Sequence, residues 1–273
     1  MSEQITIIRP ESKNKYVDFK KLWQFRELLF LMLGRDIKVR YKQTVLGIAW
    51  AVLQPLVTML IFSIIFGRLA KIPSDGLPYP LFVFSGLIAW TFFSTAVSMG
   101  ANSMVNAGPM ISKVYFPRLI IPIASIGVGA VDFLISFLLL LIIMAFYGIF
   151  PSSQILLLPI LLFGLFLTIF GLSAWLSSLT VMYRDFRFIV PFMLQIWMYL
   201  TPVIYPLSFI PEKWQWLVYL NPVSGWVSAI RSSVLGTEFN LLGLCSSVIF
   251  TIVILIIGLN FFKQTEQRFA DVI

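Results

Sequence analysis

Charged positions in this 273-residue chain fall in short clusters, and long apolar runs separate them. Six runs reach the roughly 20 residues a helix needs to cross a bilayer: 45–66, 81–101, 119–147, 155–182, 188–207 and 241–262. Six crossings put both ends of the chain on one side. The distribution of Lys and Arg decides which side that is. Sixteen cations would lie with the termini, and only Arg68, Lys71, Lys213 and Arg231 would lie opposite. Cytoplasmic termini are expected.

Two further stretches are apolar but too short to cross. In FKKLWQFRELLFLML, residues 19–33, Lys20, Lys21, Gln24 and Glu27 share one helical face, and Leu22, Trp23, Phe25, Leu29 and Met32 cover much of the rest. Gly34 and the charges after it are expected to stop this segment, giving a helix that lies along the inner leaflet; a short soluble helix packed on a neighbour is the alternative. Residues 206–240 hold two apolar pieces, PEKWQWLVYL and VSGWVSAIRSSVLG, with the turn signal Asn221–Pro222 between them. A re-entrant helical pair on the outer side is predicted. Backbone enters a membrane in this way only where it is helical, buried in protein or facing a water-filled cavity.

Composition agrees with this pattern. Hydrophobic residues make up 59% and charged residues 12%, about half the charge of a soluble domain. The predicted fold class is therefore all-α integral membrane, in one domain: a cytoplasmic tail and interfacial helix over 1–44, a six-helix membrane unit over 45–262, and a second tail over 263–273. The first 40 residues are too charged for a cleaved signal peptide, and no lipidation motif is visible. A single cysteine, Cys245, and no histidine leave little for metal binding or acid–base catalysis.

Candidate chemistry is correspondingly sparse. No Gly-Lys dipeptide occurs, so there is no G-x-x-x-x-G-K-[ST] loop to cradle a nucleotide phosphate. Asp132 is the one charge well inside a run, on a face with Ser125 and Gly129, where small residues favour close helix packing. A basic collar precedes the first run: Arg35, Lys38 and Lys42 share a face at i, i+3, i+7, with Arg40 turned away. It reads either as a topology anchor on anionic lipid or as a site for the phosphate or diphosphate headgroup of a lipid-linked substrate. NSMVNAGPMISKVYFPR, residues 102–118, is longer than a bare connector requires and amphipathic, which suits docking of a cytoplasmic partner. The compact loop YRDFRF, residues 183–188, reads as a local ion-pair cluster. Deep aromatics such as Trp90, Phe93, Phe192, Trp197 and Tyr199 suit either lipid packing or stacking on sugar rings. Gln54, Pro55, Thr58 and Gln195 are polar or kinking features of the kind that border a path.

Four segments, RDIKVRYKQTVLGIAWAVLQP, NSMVNAGPMISKVYFPRLIIP, YRDFR and NPVSGWVSAIR, occurring in this order, resemble the membrane subunit of a type-2 ABC exporter of the polysaccharide-export branch. The resemblance covers residue 22 to the end. It implies a homodimer in the bacterial cytoplasmic membrane that works with two copies of a separate ATPase. ATP and Mg would sit on that partner, and this chain would bind no cofactor. The substrate class it implies is a lipid-linked glycan such as O antigen, capsule or wall teichoic acid; membrane lipids are the other partners, and nucleic acid is not one.

By that resemblance, Asn106, Met110, Ser112, Lys113, Tyr115 and Arg118 would couple to the ATPase. Trp214, Trp216, Trp226 and Arg231 would form an outer gate. Gln54, Thr58, Trp90, Phe93, Phe192, Gln195, Trp197 and Tyr199 are candidates to line the channel, and Arg35, Lys38, Arg40 and Lys42 to receive the headgroup. No catalytic or metal-binding residue is expected. Export of another amphipathic substrate, a drug or a lipid, is the neighbouring alternative. A membrane enzyme acting on lipid-linked sugars would need clustered acids or bases that the inner loops lack, and an ion-coupled exporter would want more intramembrane charge than Asp132.

Overall fold

The computed structural model describes residues 18–42, 49–111, 113–266 and 269. Among them every regular element is helical, and no strand occurs. Helix α1 (Phe19–Gln24) is capped by the Asp18 side chain, which accepts the Lys21 N–H at 3.1 Å. A one-residue break at Phe25 leads into α2 (Arg26–Lys42). The expected stop at Gly34 does not occur. One glycine costs a helix only about 1 kcal/mol relative to alanine, and α2 packs along α6 (Ile120–Phe146), with Leu33 seated against Gly127. The collar is therefore the last turns of the same helix, and the start of the first crossing, 43–48, lies outside the described residues.

Helix α3 (Ala49–Phe62) contains Pro55 and loosens into a π-helical stretch, Ser63–Leu69. Next come α4 (Tyr79–Asn106), the single turn α5 (Gly108–Ile111), α6, and α7 (Leu158–Met182), which a short 3-10 turn precedes. Helices α8 (Phe186–Leu200), α9 (Glu212–Tyr219), α10 (Ser224–Leu235) and α11 (Leu241–Thr265) complete the chain. Among the described residues five helical stretches are long and apolar enough to cross a membrane; α8, at 15 residues, is shorter. The predicted fifth run extended to 207, but the helix ends at Leu200. Pro202 disfavours helical geometry at the residue before it, and Thr201 is extended at φ −99°, ψ 138°. The predicted pair over 211–235 is present as α9 and α10.

Helix α4 is the centre of the bundle, packed on α6 and α7, and its first half is buried all round. Helices α7 and α11 meet at glycines: a Cβ added at Gly258 would strike the Gly171 carbonyl. Thr168 and Thr251 share a hydrogen bond at 2.6 Å in the same interface. A similar approach joins α10 to α11, where the Gly225 N–H donates to Ser247 Oγ at 3.1 Å.

Hydrogen bonds and a ring contact sort the connections into two ends. At one, Lys21 Nζ donates to the Tyr115 hydroxyl at 2.9 Å, Arg118 donates to the Glu266 carbonyl, and the guanidinium of Arg118 lies over the Phe269 ring. At the other, Ser208 bonds Asp75 and the Ser152 N–H reaches the Val234 carbonyl. The described beginning and end of the chain thus share one end of the bundle, as an even number of crossings requires.

Candidate functional site

The collar divides on folding. Arg35 turns to Asp36 beside it, at 2.8 Å, while Lys38 and Lys42 are exposed. Arg40 alone of the four reaches inward, and its Nη2 lies 2.5 Å from Asp132 Oδ2. The neighbouring Tyr41 hydroxyl donates to Asp132 Oδ1. Burial, reinforced by that bond, raises the Tyr41 phenol to about 12, so it stays a donor at any physiological pH. Asp132 is thus held from α2 and is not a solitary carboxylate.

This pair forms one wall of a partly open cavity of about 120 Å³ between α3, α4 and α6. Gln54 and Thr58 line it from α3, Thr91 and Thr95 from α4, and Ser136 from α6. Pro55 has no N–H to give the Ala51 carbonyl, and Ala51 also faces the cavity. Tyr41, Thr91, Thr95 and Ser136 were not singled out from the sequence. The one available signal was that Arg40 falls off the face shared by its three basic neighbours.

The aromatic candidates separate into two sets. Trp90 and Phe93 are buried; their rings lie 5.3 Å apart, and Trp197 meets Phe93 edge-on at 5.3 Å. They hold α4 to α8 inside the chain. Phe192, Gln195 and Tyr199 instead line the exposed face of α8. Helix α3 is also largely uncovered, with Trp50, Leu53, Val57 and Ile61 exposed. Both of these helices pack against α4.

The outer candidates separate in the same way. Trp214 and Trp216 on α9 are about half exposed. Trp226 is buried against Gly164 and donates from Nε1 to Thr251 at 3.2 Å. Arg231 is buried too, with its guanidinium 3.9 Å from the Phe82 ring centre and Nη2 donating to the Val203 carbonyl at 2.9 Å. Gly86 leaves room for that guanidinium. Helix α10 is therefore anchored to α4, α7 and α11.

A knot at Asn221 joins α8 to this anchored helix. Asn221 accepts from Trp197 Nε1 at 2.9 Å and from the Val223 N–H at 3.0 Å, and it donates to Thr201 Oγ1 at 2.9 Å and the Leu200 carbonyl at 3.3 Å. Each such bond contributes roughly 1 kcal/mol net, and buried partners left unpaired cost more. Asn221→Ala is expected to destabilise the protein by about 3 kcal/mol, read as a lower thermal midpoint in detergent.

At the end of the bundle that holds the described termini, Lys113 and Tyr115 are exposed, Asn106 is exposed at the end of α4, Met110 and Arg118 are half-buried, and Ser112 lies outside the described residues. Residues 102–106, expected in the loop, belong to α4. The loop is braced from α1 through Lys21 and from the C-terminal segment through Glu266 and Phe269.

A helical bundle with uncovered α3 and α8 faces, an anchored α10 and an exposed, braced loop before α6 has the form of a membrane-embedded subunit. The family model for ABC-2 type transporters matches residues 27–235, and the chain belongs to that family. Among its relatives is the O-antigen export system permease protein RfbA of Klebsiella pneumoniae, 28% identical over 90% of this chain and 95% of that protein. The protein of the same name from Myxococcus xanthus is 30% identical over 78% and 82%. The polysialic acid transport protein KpsM of Escherichia coli is 26% identical over 88% and 93%.

Proposed function

We propose that this chain is the permease subunit of an ATP-driven exporter that moves lipid-linked polysaccharide, of the O-antigen type, across a bacterial cytoplasmic membrane. The observation that carries the reading is similarity over 95% and 82% of the length of two relatives named as O-antigen export permeases. The fold supports it. The exposed faces of α3 and α8 flank α4 and would meet those of a second copy, leaving a path bordered by Phe192, Gln195 and Tyr199. Flat rings with polar handles suit sugar faces sliding past. The headgroup would arrive at the basic end of α2, past Arg35, Lys38 and Lys42.

Energy would come from a separate ATPase bound at the inner loop. A cysteine at Lys113 or Ser112, in a background with the exposed native Cys245 replaced, is expected to crosslink to an ATPase subunit that co-purifies with this chain. If an ATPase co-purifies but crosslinks at neither position, the coupling element lies elsewhere. If none co-purifies at all, the exporter reading fails.

A further inference from the structure

The side chain of Arg40 already carries an anion, and that anion belongs to the protein. We infer that the cavity beside it is a site for the diphosphate or phosphate headgroup of a lipid, with Asp132 holding the place the headgroup takes. This rests on the export reading above and adds how its headgroup site is controlled.

Three observations lead to it. Arg40 turns in toward α6 and pairs there with an anion, and carboxylate and phosphoryl oxygens offer a guanidinium the same acceptor geometry. Asp132 supplies that geometry through Oδ2 at 2.5 Å. The adjoining cavity, about 120 Å³, is several times what a single buried water requires, enough for a phosphoryl group. Its wall carries Thr91, Thr95 and Ser136, hydroxyls that can hydrogen-bond phosphoryl oxygens. Arg40 is also the only collar cation held against this cavity, the others being at the surface or paired with Asp36.

When the headgroup takes Arg40, Asp132 retains the Tyr41 hydroxyl and keeps Ser136 beside it. The ion pair that fastens the end of α2 to α6 is then exchanged for one that fastens α2 to the substrate. The same interfacial segment bears on the inner loop through Lys21 and Tyr115.

The test uses the intact complex with its ATPase in phosphatidylcholine nanodiscs, titrated with a short-chain isoprenyl diphosphate. Asp132→Asn removes the competitor and is expected to tighten binding about tenfold, the scale of one charge-assisted bond. Arg40→Gln is expected to weaken it by about as much. Tyr41→Phe keeps both charges and removes the hydroxyl that stays with Asp132 when Arg40 leaves it, so it is expected to weaken binding about threefold, and it serves if Asp132→Asn does not fold. Unchanged or weaker binding in Asp132→Asn, unchanged or tighter binding in Tyr41→Phe, or wild-type binding in Arg40→Gln, overturns the inference.

Inorganic diphosphate is the parallel arm. Competition at equal affinity upholds an anion at Arg40 and gives the lipid no part, whereas no competition ties the site to a lipid-borne headgroup. Export and ATPase co-purification are followed in the same preparations. Unaltered binding beside intact export removes the exchange and leaves the exporter reading standing.

Discussion

Replacing Gly258 by alanine is expected to cost about 3 kcal/mol or more, at the upper end for overpacking a core. The reason is where the methyl would go. A Cβ at this position strikes the backbone carbonyl of Gly171, and a backbone atom cannot swing aside as a side chain can. Helices α7 and α11 would have to separate, and the Thr168–Thr251 bond and the seat of Trp226 on Thr251 lie in the same interface. Within a bilayer no hydrophobic force draws the helices back together, because lipid tails are as apolar as leucine. A large fall in thermal midpoint and in recovered folded protein should follow. Gly34→Ala is the internal control. A Cβ there meets nothing within 4 Å, and better helix propensity should leave α2 unchanged or stabilised by up to about 1 kcal/mol. Equal behaviour of the two variants would mean that α7 and α11 do not pack as described.

The second large effect concerns transport. Arg35, Lys38 and Lys42 replaced together by glutamine are expected to reduce export at least about tenfold, with membrane insertion and ATPase assembly intact. Arg35 and Lys38 are exposed, as is Lys42, and surface substitutions usually change stability by no more than about 0.5 kcal/mol. A loss of export with normal assembly therefore reports on a charge the substrate meets. Normal export in this variant would reduce these three residues to an anchor on anionic lipid.

Much of this architecture was legible because membrane helices declare themselves by length and hydrophobicity, and the apolar runs match the long helices. The errors lie where one residue competes with its surroundings. The fifth run reads as apolar to 207, yet Pro202 ends the helix at Leu200 through its effect on Thr201. Gly34 reads as a stop, yet packing on α6 carries α2 through it.

The candidate site was harder to read, because a face assignment says where a side chain points and not what it finds there. Arg40 was seen to leave the collar's face, but Asp132 is 92 positions away along the chain and only the fold brings them together. Trp90, Phe93 and Trp197 looked the same in sequence as Phe192 and Tyr199. Three are buried or half-buried ties between α4 and α8, and two are exposed. Periodicity along one helix cannot separate those cases when most positions are apolar.

The central claim is that this subunit provides a passage and a companion ATPase supplies the work. Reconstitution into sealed vesicles tests it most directly, by following a fluorescent lipid-linked oligosaccharide from one face to the other. Transfer is expected only when the permease, its ATPase and ATP are all present, and is expected to stop when the ATPase's phosphate-binding lysine is replaced. Transfer by the permease alone, at the same rate and without nucleotide, would contradict the account.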